Sequence, residues 1–554
     1  MQTAHAHRPS ANRNQPEFDA VVVGAGFSGL YMLHRLRQLG VTTRVYEAGG
    51  GVGGTWYWNR YPGARCDSES WVYCYSFSDE ILQEWTWTER YPSQPEIERY
   101  LNYVADRLDL RRDIQFNTRV TAAAFDEATG RWLITTDAGE QVWATYFITA
   151  VGCLSADNLP AFKGLETFQG EWYHTGRWPQ EGIDFTGKRV GLIGTGATGI
   201  QVAPVVAEQA EHLWVFQRTP NYAIPAHNRP LDPEFIRQLK ASYGEVWEIV
   251  RRSAAGLPIE PVERSALAVS PEEQRQIYEA AWQKGGFYFL FETFNDILVN
   301  PEANETAAAF IRSKIRETVR DPEVAELLCP SDHPYGTKRP PLEHGYYEAF
   351  NRDNVTLVDV RKSPIEEITP TGIRTTDGEY PLDIIIFATG FDALTGPLTR
   401  IDIRGRGGVA LAEKWVSGPR NYLGVAVHGF PNMFTITGPL SPSVLTNMPA
   451  AISQHVEWIA DCIGYLRQHG YRGIEATADA EDRWVAHANE AAEQTLYPRA
   501  KSWYIGANVP GKPRVFMVYV GGLQNYRARC QEIASKGYEG FSLTPEAALA
   551  VGAG

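Results

Sequence analysis

The sequence predicts an α/β protein made of two doubly wound, Rossmann-like dinucleotide-binding domains, with a helical insertion in the second. Three observations carry that prediction. A strand–GxGxxG–helix pattern occurs twice, an apolar strand with a small-residue exit follows each copy, and a polar, helix-patterned stretch interrupts the second.

The first copy is "FDAVVVGAGFSGLYMLHRLRQLG", from Phe18 to Gly40. Its apolar run ends at Gly24, and apolar residues then recur at helical spacing until Gly40 stops them. Gly24, Gly26 and Gly29 allow a tight turn, close backbone approach to a pyrophosphate, and close packing of the helix whose N-terminus faces the phosphates. The strand "VTTRVYEA" follows and places Glu47 eighteen residues after Gly29, where a carboxylate can take a ribose 2'-hydroxyl.

The second copy, "KRVGLIGTGATGIQVAPVVAEQAEHLWVFQRT", repeats the design through Gly194, Gly196 and Gly199. Its second strand ends in Arg218, nineteen residues after Gly199, in place of an acid. A carboxylate there would repel a 2'-phosphate, whereas a guanidinium pairs with it. The first copy therefore suits FAD and the second NADP.

"TTDAGEQVWATYFITAVG", Thr135 to Gly152, is echoed by "TTDGEYPLDIIIFATG", Thr375 to Gly390. Each is read as a place where the chain crosses between the two domains. The predicted organisation is a disordered tail over 1–15, an FAD domain from 16–150 and 390–543, an NADP domain from 151–220 and 335–389, a helical insertion over 221–334, and a C-terminal tail over 544–554. "SPEEQRQIYEAAWQKGG" and "ETAAAFIRSKIRETVRDPEVAELL" supply the helical pattern of the insertion, whose expected role is structural cover.

At 554 residues, 44% hydrophobic and 21% charged, the chain has the composition of a multi-domain globular protein. A formal charge of -14 without a Lys/Arg-dense block argues against a nucleic-acid binder. The first fifteen residues have no apolar core of a signal peptide, and no run of apolar residues is long enough to span a membrane. Six cysteines, Cys66, Cys74, Cys153, Cys329, Cys462 and Cys530, show neither CxxC nor metal spacing. They read as free thiols in a reducing, cytoplasmic compartment, with no metal site. Cys66 and Cys74 are not the close pair of a disulfide reductase, which leaves molecular oxygen as an electron acceptor.

Two further segments narrow the chemistry. "GGTWYWNRYPGARCD", Gly53 to Asp67, puts four aromatics, a Pro-Gly turn and an aspartate just after the first nucleotide fold. "FQGEWYHTGRWP" sits just before the second. The latter resembles the fingerprint FxGxxxHxxxW of the type I Baeyer-Villiger monooxygenases through Phe168, Gly170, His174 and Trp178. The former resembles a second fingerprint of that family, GGxWxxxxYPGxxxD, through Gly53, Gly54, Trp56, Tyr61, Pro62, Gly63 and Asp67. The resemblance runs from about Phe18 to Leu543 and is nearest to the phenylacetone and steroid monooxygenase group. N- and S-oxidising flavin monooxygenases share the nucleotide folds but typically lack a Trp at the position of Trp178 and the segment around Asp67. They are the alternative reading, beside a non-catalytic NADP-binding module.

The resemblance implies that NADPH reduces FAD, that oxygen forms a C4a-peroxyflavin, and that this attacks a ketone to give an ester or lactone, water and NADP+. Such chemistry needs a cation that keeps its proton beside the developing negative charge, which arginine does better than lysine. "YGTKRPPLEHGYYEAFNRDN" matches the segment carrying that cation, so Arg339 takes the catalytic place and Lys338 joins Arg218 at the 2'-phosphate. Asp67 is then the partner that holds Arg339; without the resemblance, an aspartate in such a loop would more often cap a turn. The FAD set is completed by Gly54, Thr55, Trp56, Asp67, Tyr73, Val120 and Met448, and the NADP set by Thr195, Thr198, Thr219, Arg339 and Trp503. Cys153, Ser443, Val444, Met448 and Trp503 are expected to line the substrate pocket. His174 is read as a hinge residue and Trp178 as packing. The helix entered through "TGPLSPSVLTNMPAAI" would point its N-terminus, near Asn447 and Met448, at the flavin pyrimidine. "KSWYIGANVPGKP" would bring Trp503 over NADP and substrate. Partners are a small ketone and oxygen, with no nucleic acid and no membrane, in a monomer or weak homo-oligomer.

Overall fold

The computed structural model describes residues 17–546; the predicted tail over 1–15, and 547–554 of the predicted C-terminal tail, lie outside them. Residues 544 and 545 belong instead to a strand, Phe541–Pro545, paired antiparallel with Tyr471–Ala476.

The first sheet grows around β1 (Glu17–Val23), flanked in parallel by β2 (Thr43–Tyr46) and β6 (Gln141–Thr149). Beyond β2 lies β3 (Ile114–Gln115), and beyond β6 the antiparallel β5 (Arg131–Thr136) and β4 (Val120–Asp126). Two strands from the far end of the chain complete it: Asp402–Arg404 beside β4 and Met433–Thr435 beside β6. The second sheet is all parallel, in the order Val355–Asp359, β9 (His212–Gln217), β8 (Arg189–Ile193), Ile384–Phe387 and β7 (Glu171–His174). Its central strands read "GLI" and "IIIF", continuous apolar runs buried on both faces, as a parallel sheet under helices requires. Each glycine motif lies between a central strand and its helix, Phe27–Gln38 or Ala197–Gln209.

The helix-patterned stretch divides between two cores. Pro271–Lys284 and Pro301–Thr318 pack with the second sheet, through Tyr278, Ala307 and Ile311 among others. Pro233–Arg252 packs against the first, through Leu239, Tyr243, Trp247 and Val250. That four-four-three spacing puts one apolar stripe on the helix, and the stripe meets helices and aromatics of the first fold. The segment read as an insertion in the NADP domain is thus also a strap across to the FAD side. Proline ends the pattern where it should: Pro322 opens the short helix Pro322–Leu328, capped by Asp321 accepting from the Glu323 and Val324 N–H groups.

One buried histidine gives the fold a pH dependence. His455 Nδ1 accepts from the Thr437 N–H at 2.9 Å, and its Nε2 lies 2.8 Å from the Tyr526 hydroxyl, which itself donates to the Leu423 carbonyl. Nε2 must therefore donate, which fixes a neutral ring; a second proton on Nδ1 would face an N–H. Burial lowers its pKa to about 4. An unfolded chain takes up that proton below about pH 6.5 and the folded one does not, so stability is lost as pH falls from about 6.5 to about 4, by up to about 3 kcal/mol. Melting temperature should fall over that window, and His455→Gln should be less stable at pH 7 but show a flatter profile.

Candidate active site

The two glycine motifs are built alike. Gly24 and Gly194 have φ of 105° and 112°, and a Cβ on either would run into the carbonyl oxygen of Ala150 or Ala388, the exits of the two echoed strands. A Cβ on Gly29 would overlap the Gly24 carbonyl oxygen, and one on Gly199 the Gly194 carbonyl oxygen. Gly26 and Gly196 are the N-caps of the two nucleotide helices, and neither offers a side-chain cap. Helices elsewhere are capped by Asp232, Ser270, Asn300, Asp321 and Thr477. The two glycine-headed N-termini thus leave amide donors for something outside the chain, as an anion site does.

Dinucleotides fit these cradles. Glu47 is buried at the end of β2, its oxygens accepting from the Ala25 and Gly49 N–H groups at 2.7 Å each. Each oxygen keeps a lone pair for a hydroxyl. Gly54 meets Gly26 backbone to backbone; a Cβ on it would come within 2.9 Å of the Gly26 Cα. Gly54 also starts a short helix, Thr55–Trp58, with Thr55 exposed at its first position. Trp56 Nε1 donates to the Tyr73 hydroxyl at 3.1 Å, and Tyr73 stands edge-on to Phe27 of the glycine-headed helix. Val120 is buried at the start of β4 beside Val21, Val23 and Tyr46.

The stretch from Gly53 to Asp67 spans the two folds. The Tyr61 hydroxyl donates to Gln201 Oε1 at 2.9 Å, Gln201 Nε2 donates to the Arg65 carbonyl at 3.0 Å, and Gly63, at φ 81°, lies where a Cβ would strike the Gln201 carbonyl oxygen. Gln201 belongs to the second nucleotide helix. Tyr61 therefore ties the loop to the second fold, beyond the turn-shaping role read from sequence.

At the end of that loop Asp67 meets Arg339, Oδ2 to Nε 3.5 Å. Arg339 also donates to the Val444 carbonyl at 3.0 Å, and its guanidinium lies 5.0 Å from the centre of the Phe287 ring. The arginine side chain keeps 31% exposure and opens on a cavity with Ser68, Leu445, Asn447, Tyr497 and Tyr504 in its walls. Burial works against its charge, but Asp67 and its other neighbours hold its pKa above the ordinary value. Burial pushes the Asp67 carboxyl up, against the pull of Arg339. The Cys66 thiol beside them is driven up to about 12 by burial, and all six cysteines are free. Among the described residues no cluster of His, Cys, Asp or Glu could hold a metal ion.

Around this cation, Cys153 and Val444 lie in one apolar cluster with Met448 and Trp503. Ser443 is buried beside them and hydrogen-bonds the Cys153 thiol. Thr437, Leu440 and Ser443 have φ of 53°, 65° and 39°, three left-handed non-glycine residues in one short segment. Strain of that kind persists where surrounding structure dictates it, here at the wall that presents the Val444 carbonyl to Arg339. Met448 is the first residue of the helix Met448–Gln468; Asn447 before it donates to the Val72 carbonyl, while its buried Oδ1 has no partner within the described residues.

Arg218 is exposed one residue past β9, and Lys338 is half-buried close enough to feel its charge. Neither makes an ion pair among the described residues. Thr195 donates to the Thr219 carbonyl at 2.9 Å, and Thr198 lies on the second glycine-headed helix. Of the FxGxxxHxxxW fingerprint, Phe168 packs over Gly170 at the Asp383 carbonyl, and Trp178 is buried against Tyr173 and Phe185. His174 ends β7, its Nδ1 accepting from the Gly176 N–H at 3.1 Å, with its ring edge-on to Phe391. It lies beside Phe387 and Phe391, where the chain leaves the second sheet for the first. Phe287, Tyr504, Asn221 and the Val444 carbonyl, all in contact with or facing Arg339, were not read from the sequence.

The model of the flavin-binding monooxygenase-like family matches residues 19–231. A Baeyer-Villiger monooxygenase of Pseudooceanicola batsensis is 50% identical over 525 residues, 94% of this chain and 95% of that protein. An oxidised steroid monooxygenase bound to NADP is 53% identical, with a TM-score of 0.92, over 96% of this chain and all of that one. A structure of OTEMO in complex with FAD and NADP is 44% identical, with a TM-score of 0.93 over the same shares. Among the described residues no helix is long and apolar enough to cross a membrane. Two cradles for dinucleotides, a loop that couples them, and similarity of this degree over nearly the whole length mean that the chain belongs to the Baeyer-Villiger monooxygenases, enzymes that work with FAD and NADP.

Proposed function

We propose that this chain converts bulky ketones, of aryl-alkyl, cyclic or steroid type, to esters or lactones, and that Arg339 and Asp67 are its catalytic pair. The observation that carries this reading is a permanent cation, Arg339, held by Asp67 and opening on a cavity whose walls include Phe287, Leu290, Phe291 and Leu445, in a chain that also carries two uncapped, glycine-headed nucleotide helices. FAD, reduced by NADPH, supplies the oxygen-activating chemistry when bound. Arg339 holds positive charge against the oxygen atoms on which negative charge develops. Asp67 orients it from one side and the Val444 carbonyl from the other. Preorganised charge needs little reorganisation during reaction.

Gly24, Gly26, Gly29 and Glu47 hold the FAD nucleotide, with Gly54, Thr55, Trp56, Tyr73, Val120 and Met448 around its remaining length. Gly194, Thr195, Gly196, Thr198, Gly199 and Thr219 hold that of NADP, with Arg218 and Lys338 at its 2'-phosphate and Trp503 over it. The domain division follows the two sheets, residues 16–150 with 390–543 and 151–220 with 335–389, and His174 is a hinge between them. Cys153, Ser443, Val444, Met448 and Trp503 face the ketone. Exposed large apolar side chains are scattered, as suits a monomer or weak oligomer, and six free thiols suit the cytoplasm.

Mass spectrometry of products from a ketone panel with NADPH and oxygen tests the reading: the expected result is one added oxygen as ester or lactone. Oxidation confined to amines and thioethers would move the chain to the N- and S-oxidising class. Cofactor choice should follow the cations. NADPH should be preferred over NADH by about tenfold or more, since a charge-assisted bond contributes about 1.5–3 kcal/mol. Arg218→Ala or Lys338→Ala should raise KM for NADPH and leave NADH little changed; equal kcat/KM for both cofactors in the wild type would remove the pair from that role.

A further inference from the structure

A buried ion pair stands behind the Asp67–Arg339 contact. Glu69, two residues past Asp67, takes Arg90 Nε at 3.0 Å and NH2 at 2.9 Å on Oε1, and the Tyr288 hydroxyl at 3.0 Å on Oε2. Both charged side chains are more than nine-tenths buried. Arg90 NH1 donates to the Lys284 carbonyl at 2.7 Å, and the Lys284 ammonium lies 3.7 Å from the centre of the Tyr288 ring. Arg90 is also fixed through its backbone, its carbonyl accepting from the Ser70 N–H at 2.7 Å and its N–H donating to the Arg229 carbonyl at 2.9 Å.

Such a pair is a poor device for stability, because both charges lose their hydration and a well-packed apolar replacement is often as stable. Burial accordingly pushes the Glu69 carboxyl up, with Arg90 and Tyr288 pulling it back. Its position is what is distinctive. On one side it grips the loop that carries Asp67. On the other it grips Tyr288, whose chain neighbour Phe287 lies against the Arg339 guanidinium. One unit therefore anchors both members of the catalytic pair, across two segments far apart in sequence. The pair it anchors is loose: 3.5 Å exceeds the roughly 2.7–2.9 Å of a charge-assisted hydrogen bond, so small displacements of either anchor change its strength.

We propose that Glu69, Arg90 and Tyr288 are positioning residues for the Baeyer-Villiger reaction, setting the alignment of Asp67 with Arg339 and with it the share of NADPH electrons that end in ester rather than hydrogen peroxide. This rests on the function proposed above. Ester formed per NADPH consumed is the direct readout. Glu69→Gln, which keeps shape but loses charge, should lower it by about tenfold, the scale on which groups supporting a first-contact residue act. Tyr288→Phe, which keeps the ring and the ion pair, should lower it by a smaller factor. FAD content, KM for NADPH and the anaerobic rate of flavin reduction should stay at wild-type values in both, and crystal structures should show a longer Asp67–Arg339 separation. Neither change should add to the loss in Arg339→Ala. Should Glu69→Gln fail to fold, Tyr288→Phe carries the test alone. A wild type that forms ester, with both variants melting lower but yielding as much ester per NADPH well below their melting temperatures, overturns the positioning role by itself. A wild type that forms no ester from any ketone sinks the proposed function, and this proposal with it.

Discussion

Arg339→Ala should bind FAD, accept electrons from NADPH, and lose ester formation by about 100- to 1,000-fold, the range found when one preorganised charge stabiliser is removed. The oxygen it consumes should be recovered as hydrogen peroxide. The reason lies in where Arg339 stands: it faces the cavity rather than either glycine cradle, and its fixed contacts are Asp67, the Val444 carbonyl and the Phe287 ring. Removing it leaves the two glycine cradles in place and deletes, among the described residues, the one Lys or Arg in the wall of that cavity, a cation whose proton cannot be lost. Asp67→Ala should move in the same direction by less, because it orients the guanidinium, and the double variant should be no worse than Arg339→Ala alone. Rapid-mixing absorbance with ester quantification decides it. Ester formation by Arg339→Ala near the wild-type rate would take the residue out of the catalytic role.

What was legible in the sequence is what depends on local backbone rules. Gly24, Gly29, Gly194 and Gly199 announce themselves because close approach of two backbones tolerates no Cβ, and that demand repeats at fixed spacing. Glu47 and Arg218 were legible because each follows a strand whose end is set by the same motif. The remainder of the site is assembled by distant packing. The Val444 carbonyl belongs to every residue alike and carries no sequence signal, and its aim depends on the left-handed turns at Leu440 and Ser443. Phe287 and Glu69 come to Arg339 and Arg90 from segments that no periodicity links. The same limit explains the helix Pro233–Arg252. Its apolar stripe through Leu239, Tyr243 and Trp247 announces that one face is buried, but not which of two cores receives it. The aromatics of the 53–67 loop were legible as unusual, yet the Tyr61–Gln201 bond that joins the two folds could be found only once the loop and the second helix were side by side.

The two glycine cradles make the sharpest contrast, because the same atom added to each should have different consequences. In Gly29→Ala the new Cβ must occupy the space of the Gly24 carbonyl oxygen, and in Gly199→Ala that of the Gly194 carbonyl oxygen. Neither obstacle is a flexible side chain, so helix and turn must part in both. In the first fold that displacement moves the uncapped N-terminus of Phe27–Gln38, and with it Phe27, which packs on Tyr73 and so reaches Trp56. Gly29→Ala should therefore purify without FAD, or retain it only at high added concentration, and should melt well below the wild type. In the second fold the displaced helix, Ala197–Gln209, meets the first through contacts such as those of Gln201. Gly199→Ala should stay yellow and be reduced by dithionite at the wild-type extent, while reduction by NADPH slows by about 100-fold or more, as a misplacement on the order of 1 Å suffices to produce. Flavin content by absorbance, melting temperature and anaerobic reduction with each donor separate the two variants. Full FAD retention by Gly29→Ala, at unchanged affinity, would mean that the turn yields more easily than two backbones in contact should allow.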